Sequence, residues 1–185
     1  MMRATELAHV LMRQSVKPGD MVVDATMGNG HDTLLLAELV GPRGHVFGFD
    51  VQEAALAATA KRVKGLAQVT LVHAGHETLG EYLAANGNQR LSAVMFNLGY
   101  LPGAPKDIIT REQTTLAALE QALAHLEING LVTLVLYPGH AGGDEETAAV
   151  RSYAQNLPGA YSVNQFARTN SSEPAPELIA IERQS

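Results

Sequence analysis

Residues 21–33, reading M-V-V-D-A-T-M-G-N-G-H-D-T, constrain the fold more than any other part of the chain. Met21, Val22 and Val23 make a short apolar run. Gly28 and Gly30 supply a tight turn, and Asp32 then opens a helical pattern through Leu34, Leu35, Leu36 and Ala37. This order predicts strand, glycine turn and helix. At such a junction glycines let a ligand approach the backbone, and the helix N-terminus offers unpaired N–H groups to it. Asp50 ends a second apolar run that begins at His45. A carboxylate there can accept hydrogen bonds from both ribose hydroxyls of a nucleotide-like cofactor.

The glycine spacing separates two cofactor classes. In G-x-G-x-x-G the third glycine permits close packing of helix on strand, and here Thr33 stands in its place, so the dinucleotide fingerprint is incomplete. Asp24 lies four residues before Gly28, giving D-x-x-x-G-x-G. That pattern resembles the first motif of class I S-adenosyl-L-methionine (SAM) methyltransferases. A plain strand-to-helix turn with a solvated Asp50 is the competing reading.

The rest of the chain repeats the alternation. Residues 4–16 read as an amphipathic helix ended by Pro18-Gly19, Gln52 to Val63 as a second helix, and Val69 to Val72 as a third strand. Leu91 to Phe96 is a fourth strand. Thr110, with Gln113 three residues on, is a candidate N-cap for a helix running to about Glu127, which Asn129-Gly130 ends. Leu131 to Tyr137 reads as a strand buried on both faces. Tyr161 to Phe166 and Leu178 to Ile181 read as an antiparallel hairpin. Five strands alternating with helices, followed by a hairpin, predict one domain over 1–185. Its α/β sheet would be mostly parallel, with helices on both faces. The loops at Gly28, Asp50, Gly75, Asn97 and Pro138 then share the carboxyl edge, where ligands bind.

Two of these loops carry chemistry. An asparagine at the end of the fourth strand, Asn97, can accept hydrogen bonds from an amino group and orient its lone pair, while Tyr100 can pack on a planar substrate. Asn97-Leu98-Gly99-Tyr100 lacks the prolines of the N-P-P-Y motif of enzymes that methylate nitrogen, so the analogy places residues without fixing roles. A strand-end turn with a packed tyrosine is the alternative. His140, on the loop after Tyr137, could act as a base, hold a substrate phosphate, or do neither. His73, His76 and Glu77 make a weak zinc pattern, and His76 reads equally as a contact to an adenine. Asp32 either caps its helix or holds a cofactor amino group. Lys106, Arg111 and Arg168 are the cations expected near the active edge. Lys61, Arg62 and Lys64 end a helix expected to point to the opposite edge, and they read as a solvated face.

The chain has no cysteine, which excludes disulfides and thiolate chemistry, and no apolar run approaches the length of a membrane span. The expectation is a cytoplasmic protein without membrane contact. A formal net charge of −6 argues against binding nucleic acid by bulk electrostatics, so any RNA contact has to be local.

Several stretches together resemble one family: residues 24–33, G-F-D-V-Q at 48–52, G-H-E at 75–77, F-N-L-G-Y-L-P at 96–102, Y-P-G-H at 137–140 and P-E-L-I-A-I-E at 176–182. They are similar to the YtqB family, labelled rRNA methylases, whose members are also known as MnmM, the tRNA 5-(aminomethyl)-2-thiouridine methyltransferases. Met27 and Glu177 depart from the family's usual residues at their positions. The resemblance implies a Rossmann-like class I methyltransferase fold with a seven-stranded sheet. It also implies SAM as cofactor, and N-methylation of the aminomethyl group on a wobble uridine in the tRNA anticodon arm. On that basis Asp24, Gly28, Asn29, Gly30, His31, Asp32, Thr33, Asp50, Gln52, Gly75, His76 and Asn97 are the expected cofactor residues, with no metal. Asn97, Tyr100 and His140 are the expected catalytic residues, and Leu98, Gly99, Tyr100, Lys106, Tyr137 and His140 the expected substrate contacts. Methylation of rRNA or a small amine, and SAM sensing without turnover, remain the alternatives. A homodimer joining two basic patches is one way for an acidic chain to hold RNA.

Overall fold

The structure is a computed structural model and describes residues 2–99, 110–139, 142–168, 170 and 173–185. Its described elements are α1 (Ala4–Ser15), β1 (Met21–Asp24), α2 (His31–Val40), β2 (His45–Asp50), α3 (Glu53–Arg62), β3 (Val69–His73), α4 (Leu79–Ala85), β4 (Leu91–Asn97), α5 (Glu112–His125), β5 (Leu126–Leu136), α6 (Gly143–Gln155), β6 (Tyr161–Phe166) and β7 (Glu177–Arg183). The strands form one seven-stranded sheet in the order β3-β2-β1-β4-β5-β7-β6. β1 to β5 pair in parallel, and β7 runs antiparallel to both β5 and β6. The order reverses between β1 and β4, so the carboxyl ends of those two strands open a crevice.

Apolar side chains cover both faces of the sheet. Val22, Val46, Met95, Val135 and Leu178 pack with Ala8 and Met12 of α1 and Leu36 and Val40 of α2. On the other face Val23, Phe47, Phe96, Leu134 and Ile179 pack with Leu79, Leu83, Leu119 and Val150. β4 is buried from Leu91 to Phe96, because alternate residues serve opposite cores. Truncating Leu134 or Leu119 to alanine would cost about 2–5 kcal/mol.

Several boundaries differ from the sequence expectation, most by a single residue. α2 begins at His31 and not at Asp32, with Gly30 in the left-handed region as its N-cap (φ 77°). α5 begins after Arg111, because the Thr110 hydroxyl is engaged elsewhere, and it ends at His125. β5 starts at Leu126, five residues early, and Asn129-Gly130 is not a helix end. Pairing with β4 jumps from Leu91↔Leu126 to Ala93↔Leu131, so residues 127–130 bulge out, with Asn129 at φ 64°.

Candidate active site

The glycine loop is held from three sides. Gly28 N donates to Asp50 Oδ2 (3.0 Å), Met27 N donates to the Phe49 carbonyl (3.0 Å), and Thr59 Oγ1 of α3 donates to the Gly28 carbonyl (3.0 Å). Asp50 Oδ1 accepts from Gln52 N (2.9 Å), so its carboxylate joins the loop to the end of β2. Gly30 has a second reason to be glycine besides its φ. A Cβ there would lie 2.9 Å from Thr59 Cα.

Arg62 is placed differently from its expectation. Its Nε donates to the Asn29 carbonyl (2.7 Å) and its Nη2 lies 3.1 Å from His31 Nε2. The end of α3 therefore leans on the glycine loop instead of facing the opposite edge, since Thr59 and Arg62 extend the stripe begun by buried Ala55.

A cavity of about 510 Å³ opens at the carboxyl edge between these loops. It brings together Gly28, Asn29, His31, Asp32, Asp50, Gln52, Gly75, His76, Asn97, Leu98, Gly99 and Tyr137 of the sequence-predicted residues. Asp24, Gly30 and Thr33 do not line it. Asp24 is fully buried, accepting from Thr33 Oγ1 (2.6 Å) and Thr26 N (3.2 Å), so it supports the loop from beneath. Burial, and then the charge of Asp32, push the Asp24 carboxyl up to about 7. Tyr100, Lys106 and His140 lie outside the described residues.

Two features give the cavity its polarity. Tyr137 OH donates to Asn97 Oδ1 (2.9 Å), and Asn97 N donates to Thr26 Oγ1 (2.7 Å), so Asn97 is fixed through both side chain and backbone. His76 Nδ1 donates to the Ala25 carbonyl (3.1 Å), which leaves Nε2 as an acceptor. That nitrogen is buried without a hydrogen-bond partner among the described residues. Burial lowers the pKa of His76 below the ordinary imidazole value, so the ring is neutral at pH 7. A neutral acceptor left open in a cavity wall fits an N–H donor of a ligand. His73, beside it in sequence, is exposed and bonds the Val51 carbonyl (3.0 Å). Among the described residues no three His, Cys, Asp or Glu side chains converge as metal ligands.

Sequence reasoning missed several neighbours. His9 of α1 lies 2.6 Å from Asp32 Oδ1, through Nε2. Thr110 Oγ1 accepts from Gly99 N (2.8 Å) and donates to Glu146 (2.9 Å), and Thr110 and Thr114 line the cavity beside Arg111, which was expected at this edge. A histidine on an amphipathic helix gave no sign of its partner. Thr59, a polar residue in an alanine-rich helix, was the one available signal for the loop clamp. Glu177, one of the two departures from the family pattern, is buried and ion-paired with Arg151.

The sheet order, the switch-point cavity and the glycine loop define a class I methyltransferase fold. The structure superposes on a "putative rRNA-methylase" from Clostridium thermocellum with a TM-score of 0.94 at 38% identity, covering 99% of this chain and 98% of that one. It also superposes on a "putative methyltransferase" from Streptococcus mutans, solved in complex with SAH, with a TM-score of 0.88 at 34% identity and 99% of each chain. The chain belongs to the family described as "Putative rRNA methylase", whose model matches residues 46–182. It is 41% identical over 167 residues to the "tRNA (mnm(5)s(2)U34)-methyltransferase, chloroplastic" of Arabidopsis thaliana, covering 84% of this chain and 60% of that protein's length. A shorter match, 43% identical over 86 residues, joins 45% of the chain to 26% of the "Ribosomal RNA small subunit methyltransferase H" of Frankia alni. No described helix is long and apolar enough to cross a membrane.

Proposed function

We propose that the chain is a SAM-dependent N-methyltransferase. Its substrate would be the 5-aminomethyl group of a wobble 2-thiouridine in the tRNA anticodon arm, and its product the methylaminomethyl form. The observation that carries the reading is the Asn97–Tyr137 hydrogen bond at the end of β4, inside a cavity that also holds the glycine loop and Asp50. The name of the Arabidopsis relative supports the acceptor. The work would fall in the cytoplasm, where a dimer is a further part of the proposal.

The residues present fit the cofactor. Asp50 offers carboxylate oxygens to a ribose, His76 Nε2 is the open acceptor for an adenine amino group, and Gly28 and Asn29 expose backbone beside Asp32 and Gln52. When bound, SAM supplies an electrophilic methyl group on a sulfonium. Asn97 accepts a hydrogen bond from the substrate amine on the carbonyl lone pair that Tyr137 leaves open, which orients the amine's own lone pair. A free alkylamine is mostly protonated at neutral pH, with a pKa of about 10.4 like lysine, so the cavity has to strip its water and release a proton. Tyr100, His140 and Lys106 are proposed to complete the substrate side.

Incubation with labelled SAM and tRNA from cells lacking the methylaminomethyl group, followed by nucleoside mass spectrometry, tests this. The expected product is 5-methylaminomethyl-2-thiouridine. Cofactor binding with no methylated tRNA nucleoside would reject the acceptor. It would turn attention to rRNA, which the match to the small-subunit enzyme favours.

A further inference from the structure

The basic end of α3 is an unpaired cationic cluster set beside the cavity. Lys61, Arg62 and Lys64 are exposed, and the ion pairs among the described residues involve none of them. Arg62 is fixed by the Asn29 carbonyl and His31 Nε2. Neither partner is a carboxylate, so neither forms an ion pair with the guanidinium. Among the described residues no carboxylate pairs with Arg62, and three of its five N–H donors have no hydrogen-bond partner. Its position is also set in advance, so less rotamer freedom is lost on binding.

Placement decides what such a cluster meets. Lys61, Arg62 and Lys64 do not line the cavity, whereas His31 does. The cations thus reach a part of a ligand that stays outside while another part enters. The cavity wall itself carries Asp32, Asp50 and Glu77 against Arg111, which suits a cationic guest and repels an anionic one. A nucleotide with a cationic aminomethyl base inside and phosphates outside matches both halves. In a chain of net charge −6, only a local cluster can attract a polyanion.

We propose that Arg62 and His31, flanked by Lys61 and Lys64, form the docking surface for the RNA phosphodiester backbone next to the base that enters the cavity. The proposal rests on the RNA-methyltransferase reading above. It gives the role of a backbone contact to a helix end that carries no catalytic group.

The test uses the full chain, the target tRNA, and the free 5-aminomethyl-2-thiouridine nucleoside, which has no phosphate. Filter binding of tRNA is measured over a range of salt, beside calorimetric binding of SAM. For Arg62→Gln, tRNA affinity is expected to fall about tenfold at low salt, and the slope of log affinity against log salt to flatten by about 0.7 to 1. The ratio of kcat/KM for tRNA to that for nucleoside falls in step. Lys61→Gln with Lys64→Gln flattens the slope further, and Arg62→Lys, which keeps the charge, retains the slope and serves as the folding control. Unchanged tRNA affinity and slope in Arg62→Gln overturn the proposal. So does a loss confined to SAM affinity, which would assign the guanidinium to the cofactor carboxylate. A wild-type chain that binds tRNA with this Arg62-dependent slope but methylates no uridine upholds the docking surface and rejects the substrate reading alone.

Discussion

Tyr137, the residue after β5, donates its hydroxyl proton to Asn97 Oδ1, on the last residue of β4, across 2.9 Å. The bond spans two neighbouring strands at their carboxyl ends and fixes which way the Asn97 amide faces. One carbonyl lone pair is used by Tyr137, and the other stays available to a substrate N–H. Tyr137→Phe removes one neutral hydrogen bond, worth about 0.5–1.5 kcal/mol. It is expected to lower kcat three- to tenfold or so while cofactor affinity holds. Asn97→Ala removes the acceptor itself and is expected to cost roughly 100-fold or more in kcat. Steady-state kinetics beside calorimetry checks both, and a wild-type kcat in Tyr137→Phe would show that the bond does not orient Asn97.

His76 is expected to make stability, and cofactor binding if it contacts SAM as proposed, sensitive to acid. Burial depresses its folded pKa, so its contribution is present above the unfolded value, about 6.5. It is lost as pH falls through the lower folded value. Protonation also converts Nε2 from acceptor to donor. Melting temperature and SAM affinity should both decline as the pH is taken from neutrality to about 5. In His76→Asn the SAM affinity should be lower at every pH and its pH dependence flatter. Equal slopes in the two proteins would remove His76 from the cofactor site.

Asp24 acts with the opposite sign. Its folded pKa is raised from 3.8 to about 7, so its contribution is fully present below the unfolded value and is lost as pH rises through about 7. Asn fits the same place, because Thr33 Oγ1 can accept from an amide as readily as it donates to a carboxylate, while Thr26 N keeps an oxygen acceptor. Urea titrations should find Asp24→Asn gaining on the wild type between pH 4 and pH 8. Parallel stability curves would mean that Asp24 stays ionised throughout.

Gly41 and Gly30 separate strain alone from strain with crowding. Gly41 has φ 63° and ψ −173° with open space where a Cβ would go, whereas at Gly30, φ 77° and ψ 18°, the Cβ meets Thr59 Cα at 2.9 Å. Gly41→Ala should cost about 1–3 kcal/mol from backbone strain with cofactor binding kept, and Gly30→Ala should be destabilising with loss of cofactor binding. Thermal melting beside calorimetric SAM binding checks both. Full SAM binding in Gly30→Ala would show that Thr59 yields freely.

The sheet was legible because each strand announced itself as an apolar run ended by glycine, asparagine or proline. Its switch point followed from the alternation with helices. Residues at strand ends were legible for the same reason, since the topology sends Gly28, Asp50, His76 and Asn97 to one edge. What was hidden depends on the direction of elements and not on their identity. Whether α3 leans toward the glycine loop is decided by packing of Ala55 and Thr59, and so the place of Arg62 could not be read from Lys61, Arg62 and Lys64 alone. Asn129-Gly130 marks a departure from regular structure, but the same dipeptide serves a helix end or a bulge. Asp24 illustrates a further limit, because a motif gives a residue's neighbourhood without saying on which side of the backbone its carboxylate lies.

The reciprocal bonds between Gly99 and Thr110 have a wider consequence. Thr110 N donates to the Gly99 carbonyl (2.9 Å) and Gly99 N donates to Thr110 Oγ1 (2.8 Å), while Glu146 of α6 accepts from that hydroxyl. The two ends of the intervening stretch are thus buckled together and anchored to the body of the protein. Closing a longer span between fixed ends adds only about 0.6 kcal/mol per doubling of length. Asn97, two residues before Gly99, is held by bonds that do not depend on the length of chain between Gly99 and Thr110. The buckle thus insulates the glycine loop and the Asn97–Tyr137 pair from whatever sequence comes to stand between its two ends.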